Sequence, residues 1–200
     1  MKQIIVPIDF SNEAMEGLNL AITLSQYIPS VIEMVYVQKD KNEFYHIAQE
    51  KERKLAEEKF RKIQKEYQPK LPENTELKYI IKKGKIYREV VNQAHSFSDS
   101  FIVSSTHGAS GFEKFFLGSN TFKIITATTK PVFTIRDTIS PKEINNIILP
   151  LDTSHDTRQK ATFTAELAHY CNAKIHVISV CQTPTNEFEK KLNTYSKQTC

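Results

Sequence analysis

Two hundred residues suffice for one large domain, or for one ordinary domain plus a fragment. A chain that is 40% hydrophobic and 25% charged can bury a sizeable core, which excludes a disordered polymer. The net charge of +4 is small and much of the charge lies in one alternating-sign stretch, so a nucleic-acid partner is not expected. No apolar run approaches the ~20 residues of a membrane span, so no membrane partner is expected either. Met1 leads straight into Ile4–Ile5–Val6 without a basic n-region or cleavage site, which makes the cytoplasm the expected location. Cys171, Cys181 and Cys200 share no metal-type spacing and read as reduced thiols.

In chain order, residues 3–8 (QIIVPI) form a short apolar run ended by Asp9, as suits a parallel strand buried on both faces. Ser11 is a good N-cap and Glu13 complements the helix dipole. Ala14, Leu18, Ala21, Ile22 and Ser25 recur at helical spacing until Pro29. Val31–Val37 reads as the second strand of a right-handed βαβ crossover. Residues 41–67 predict a helix with Leu55, Phe60, Ile63 and Tyr67 on its apolar stripe and i,i+4 ion pairs outside. A solvent-facing crossover helix is the plain reading of it, and a partner-binding helix the alternative. Next come a strand at 76–81, a turn at Gly84, a helix near 86–97 and a strand at 100–105. A loop at 106–118 leads to a helix of about ten residues from Ser119, and then to the strand 131–136. Five strands with interleaved helices predict an α/β fold with a doubly wound, mostly parallel five-stranded sheet.

After a linker at 138–144 the pattern begins again. Lys2–Val37 lies over Asn145–Val180 without a gap across 36 positions, so that IIVPIDFS (4–11) meets IILPLDTS (147–154). Leu24, Tyr27, Ile32 and Val37 recur as Leu167, Tyr170, Ile175 and Val180. This reads as a tandem duplication whose second copy, 145–200, carries only the first βαβ unit and a polar segment. A truncated form of a longer tandem protein is the favoured reading, and a fragment docked on the first domain (1–137) or on a partner is the other.

The stretch Ser104–Thr121, SSTHGASGFEKFFLGSNT, follows a buried strand and ends at a helix start. Gly108 and Gly111 permit positive φ, and Gly118–Ser119 opens a helix whose unpaired N–H groups suit an anion. Ser119 and Thr121 can add hydroxyl donors. Glycines also serve plain turns, but ligands of open α/β sheets bind at such carboxyl ends. Pro7-x-Asp9-x-Ser11, Asp99 before a buried strand, Thr106-His107-Gly108, nine residues, and Gly118-Ser119 together resemble the universal stress protein family, as does the Pro-Val-Phe strand after Lys130.

The resemblance covers 1–137 and again 145–181. It implies a Rossmann-like domain of the adenine nucleotide alpha hydrolase-like type, commonly dimeric, that holds ATP or AMP with or without magnesium. Pro7, Ile8 and Asp9 would flank adenine and ribose, and Val37 would meet the adenine with its backbone. Ser105, Thr106, His107 and Gly108, together with Gly118, Ser119, Asn120 and Thr121, would hold the phosphates. The family's loop has glycine where this chain has Ser105. Its Cβ would crowd the ligand, or strain the backbone if positive φ is needed, unless its hydroxyl contributes instead. Asp9 reads either as a ribose ligand or as a carboxylate closing the turn into the helix. His107 reads as a phosphate neighbour or a loop-ordering residue.

No catalytic constellation competes. His46, His95, His155, His169 and His176 lack metal-ligand spacing, and no Walker A lysine motif or G-x-S-x-G elbow is present. The expectation is a regulatory nucleotide-binding module with little or no catalysis, homodimeric through the strand 131–136. The alternatives are a member acting through protein association alone and a slow ATPase.

Overall fold

A computed structural model describes residues 1–39, 46–106, 118–136, 143–151 and 157–179. The chain forms two compact units, Met1–Pro141 and Lys142–Cys200. Of the expected linker 138–144, only residues 143 and 144 are described.

In the first unit the elements run β1 (Lys2–Pro7), α1 (Asn12–Ser25), β2 (Ser30–Gln38), α2 (His46–Tyr67), β3 (Glu76–Lys83), α3 (Ile86–His95), β4 (Ser100–Ser105), α4 (Ser119–Ala127) and β5 (Val132–Ile135). All strand pairs are parallel and the sheet order is β3-β2-β1-β4-β5, as the alternating pattern predicts. Ile4 stands beside Ile32 on one side and Phe101 on the other, so the most apolar runs occupy the centre. Successive side chains point to opposite faces. Ile5, Val35, Val37 and Ile102 pack under Val90, Val91 and Ala94 of α3 and Ile124 of α4, while Ile4, Val6, Ile32 and Met34 are also fully buried. Each of these valine, isoleucine and methionine side chains contributes about 1.5–3 kcal/mol through removal from water.

The helix ends follow local chemistry. Ser11 Oγ accepts from the Ala14 N–H at 3.1 Å, which caps α1 as expected. In α2 the buried residues are Ala56 and Phe60, whereas Leu55 is 50% exposed, against the expected stripe. At 100° per residue, Ala56 lies 40° from Phe60 around the helix and Leu55 lies 140° away. Gly84 turns the chain with φ 143° after β3. Lys2 Nζ meets Asp99 Oδ1 at 2.8 Å, and the Gln3 N–H donates to the Asp99 carbonyl at 3.0 Å, which ties β1 to the start of β4.

The second unit consists, among the described residues, of β6 (Asn146–Leu151), α5 (Thr157–Cys171) and β7 (Lys174–Ser179), with β6 parallel to β7. One shift of 143 residues carries the pair Gln3–Val31 onto Asn146–Lys174 and Pro7–Val35 onto Pro150–Ile178, so both crossovers share one register. Leu149, Leu151 and Ala161 form its core with Ile175 and Val177. Asn172, at φ 51°, ends α5 in the left-handed conformation that asparagine tolerates at this position. Cys171 is a buried free thiol whose pKa burial pushes up; Cys181 and Cys200 lie outside the described residues.

Candidate functional site

The strand order reverses between β1 and β4, because β2 and β3 lie to one side of β1, and β4 and β5 to the other. Two neighbouring strands whose connections leave on opposite faces open a crevice at their carboxyl ends. A cleft lies there. Pro7, Ile8 and Asp9 form one wall, Val37 another, and Ser105 with Gly118, Ser119, Asn120 and Thr121 the third. Nine of the twelve residues singled out from the sequence therefore share one cavity. Thr106 is not among the lining residues: its N–H donates to the Ile135 carbonyl at 2.9 Å and its carbonyl accepts from the Gly118 N–H at 2.6 Å. His107 and Gly108 lie outside the described residues.

The β1 wall is shaped by a tight turn. Asp9 is exposed, and its Oδ1 accepts from both the Ser11 N–H at 3.0 Å and the Ser11 hydroxyl at 2.5 Å. The turn-closing reading of Asp9 is thus realised, and both bonds use the same oxygen. Between them Phe10 takes φ 64°, a conformation that costs a bulky residue on the order of 1–3 kcal/mol. The Ile8 N–H donates to the Val35 carbonyl at 2.9 Å and keeps the strand end in the sheet.

The opposite wall is the start of α4. Gly118 is its N-cap with φ −52°, so this position does not call on glycine's left-handed freedom, and it has no side chain to cap the helix. The first-turn N–H groups of a helix have no intrahelical acceptor and carry the positive end of its dipole. Thr121 is buried and spends its hydroxyl hydrogen on the Ser105 carbonyl at 2.8 Å, while Ser104 Oγ lies 3.1 Å from Thr121 Oγ1. Thr121 thus fastens the helix start to the end of β4, and the polar groups left facing the cleft there are those of Ser119 and Asn120, both exposed. Ser105 ends β4 and pairs with Ile135; the left-handed non-glycine residues among those described are Phe10 and Asn172. The strained backbone expected if this position needed glycine is not required here.

Several lining residues were not anticipated from the sequence: Tyr36 and Val35 on β2, Ala14 in α1, Ser104, Ile86 and Ile124. Ala14, three residues after the cap, could have been found from the requirement that a helix start beside a ligand be small. Tyr36 donates its hydroxyl to Glu52 Oε1 at 2.8 Å. Burial first, then that bond and the Glu52 and Asp9 charges, push its pKa from 10.0 up to about 12, so it stays neutral at physiological pH. Asp9 is the one charged side chain among the described lining residues. Among the described residues no group of three or more His, Cys, Asp or Glu could hold a metal ion, and no helix is long and apolar enough to cross a membrane.

Residues 1–136 match the universal stress protein family model. No curated protein matches the chain in sequence. The hypothetical protein MJ0577 shares 25% identity at a TM-score of 0.61, over 69% of this chain and 97% of that one. A universal stress protein from Archaeoglobus fulgidus DSM 4304 shares the fold at a TM-score of 0.76, with 18% identity over 98% of this chain and 73% of that one. A universal stress protein solved in complex with cAMP has a TM-score of 0.52 and 13% identity, over 67% of this chain and 96% of its own.

Proposed function

The chain belongs to the universal stress protein family, and within it we propose a regulatory protein that binds an adenine nucleotide, AMP or ATP, in the cleft between β1 and β4. The observation that carries this reading is the convergence of the Pro7–Asp9 strand end and the N-terminus of α4, whose N-cap Gly118 has no side chain, on one cavity at the sheet's reversal point. The cAMP complex of a structural neighbour supports the same ligand chemistry.

In this reading Pro7, Ile8 and the β2 residues Val35–Val37 enclose the base. Asp9, whose Oδ1 is engaged by Ser11, offers Oδ2 to the ribose hydroxyls. The first-turn N–H groups of α4, with Ser119 and Asn120, take the phosphate, and Ser105 adds a hydroxyl on the β4 side. Magnesium would arrive with a polyphosphate, since Asp9 alone is a poor site for it. No described lining residue is placed as a general base for water attack, so occupancy rather than turnover is the output. Location in the cytoplasm belongs to this proposal.

Titration calorimetry with AMP and ATP tests it. Binding at micromolar to millimolar nucleotide, weakened about tenfold or more by Asp9→Ala, is the expected result. No heat at millimolar nucleotide from either wild type or Ser105→Gly would overturn it.

A second reading, association through β5, is favoured by the contrast between the two sheet edges. β3 carries Lys78, Lys82 and Lys83, which discourage strand addition, whereas β5 reads Val-Phe-Thr-Ile with no charge. A homodimer through 131–136 follows, and tandem descent of the second unit accords with the shared register. Light scattering that finds a monomer at high concentration would remove the dimer.

A further inference from the structure

Phe10 is the bulkiest residue of the Asp9–Ser11 turn and the one held in the left-handed region, at φ 64°. Its ring is gripped by elements far away in the chain. The Tyr36 and Phe60 ring centroids lie 5.1 and 4.9 Å from it, and Lys59 Nζ stands 4.8 Å from its own centroid. These partners are themselves fixed. Phe60 is fully buried and stacks on Tyr79 at 4.7 Å and 8°, and Tyr36 is tied to Glu52. β2, β3 and α2 therefore hold one side chain in a backbone conformation it would otherwise leave.

The consequence falls on its neighbours. If φ at residue 10 relaxed to negative values, the Ser11 N–H and hydroxyl would swing away from Asp9 Oδ1, and the carboxylate would lose the two bonds that aim it. We infer that Phe10 is a positioning residue: its clamped ring holds the turn that presents Asp9 to the cleft and so sets the recognition of a ribose. The ligand half of this inference rests on the nucleotide reading above; the turn half does not.

The test uses the full chain, with AMP and 2′-deoxy-AMP as probes. Glycine adopts the left-handed conformation freely, so Phe10→Gly removes the anchor without forcing a clash. It should lower AMP affinity about tenfold, the worth of one charge-assisted hydrogen bond, and erase most of the preference for AMP over the deoxynucleotide. In an Asp9→Ala background the same change should add less than about twofold. Phe60→Leu, which loosens the clamp without replacing a residue of the turn, should act in the same direction, and Phe10→Tyr should retain wild-type binding. Full ribose preference in Phe10→Gly and Phe60→Leu, or an additive loss in the double variant, would overturn the inference.

A ligand-free measurement separates the two claims. Amide exchange at Ser11 should accelerate at least about tenfold in both loosened variants. Wild-type protection there would overturn the inference whatever nucleotide does, whereas absence of nucleotide binding by the wild type counts against the proposed function alone.

Discussion

The stretch from Gln3 to Tyr36 and the stretch from Asn146 to Ser179 share one strand register, yet they differ in what covers them. On the helix side the two agree. Val6, Ile8 and Leu24 are buried in the first, and their counterparts Leu149, Leu151 and Leu167 are buried in the second. On the other side they part: Ile5 and Val35 are 0% and 1% exposed, while Ile148 and Ile178 are 65% and 46% exposed. The first pair lies under α3 and α4, which are encoded after the repeated stretch. A βαβ unit covers one face of its own sheet with its own helix. In the first unit α3 and α4 cover the second face, whereas in the second unit Ile148 and Ile178 are exposed on it.

The largest expected effect tests that contrast directly. Ile5→Ala should cost about 2–5 kcal/mol, and Ile148→Ala no more than about 0.5 kcal/mol, read by hydrogen exchange resolved to each unit. Equal losses would break the comparison by revealing that the second face is covered in solution.

A smaller effect concerns the last matched pair, Tyr36 and Ser179. The folded state keeps the Tyr36 proton up to about pH 12 while the unfolded chain releases it near 10.0. Its contribution is therefore complete below pH 10 and is lost as pH rises towards 12. Urea titrations between those limits should show a steeper fall for wild type than for Tyr36→Phe; identical slopes would disprove it. Ser179, whose hydroxyl donates to the Leu151 carbonyl at 2.9 Å, brings no such step to the second unit.

The smallest is Ser11→Ala, about 1 kcal/mol from the lost cap. It should raise exchange in the first turn of α1 while leaving β6, α5 and β7 unchanged. A loss spread over both units would mean that they unfold together.

Much of the fold was legible because its signals are local. The runs Ile4–Val6 and Phe101–Val103 contain no polar residue, which suits strands buried on both faces, and Ser11, Gly84 and Pro29 punctuate the chain as their backbone chemistry requires. In α2 the sequence favours Leu55, the more apolar of two neighbours, for the inner face, but packing against β2 and β3 turns the smaller Ala56 inward with Phe60. In the site, the strand-end and helix-start residues followed from pattern and resemblance. Tyr36 did not, because it reaches the cleft through the parallel pairing of β2 with β1 and not through any spacing of its own. Thr121 could be named from sequence as a hydroxyl at the helix start, but its bond to the Ser105 carbonyl arises only where β4 and α4 meet.

Alternation of apolar runs with helical periods determined by itself the parallel five-stranded class, the order of elements, the repeated βαβ unit and the stretch that builds the cleft. These depend on neighbours along the chain, whose spacing is written in the residues. Tertiary structure alone decided which hydroxyls are spent within the fold, which described side chains of the second unit are exposed and why Phe10 sits at φ 64°. Each of those depends on groups brought together from tens of residues away, and the free energy of such meetings has no periodicity to read.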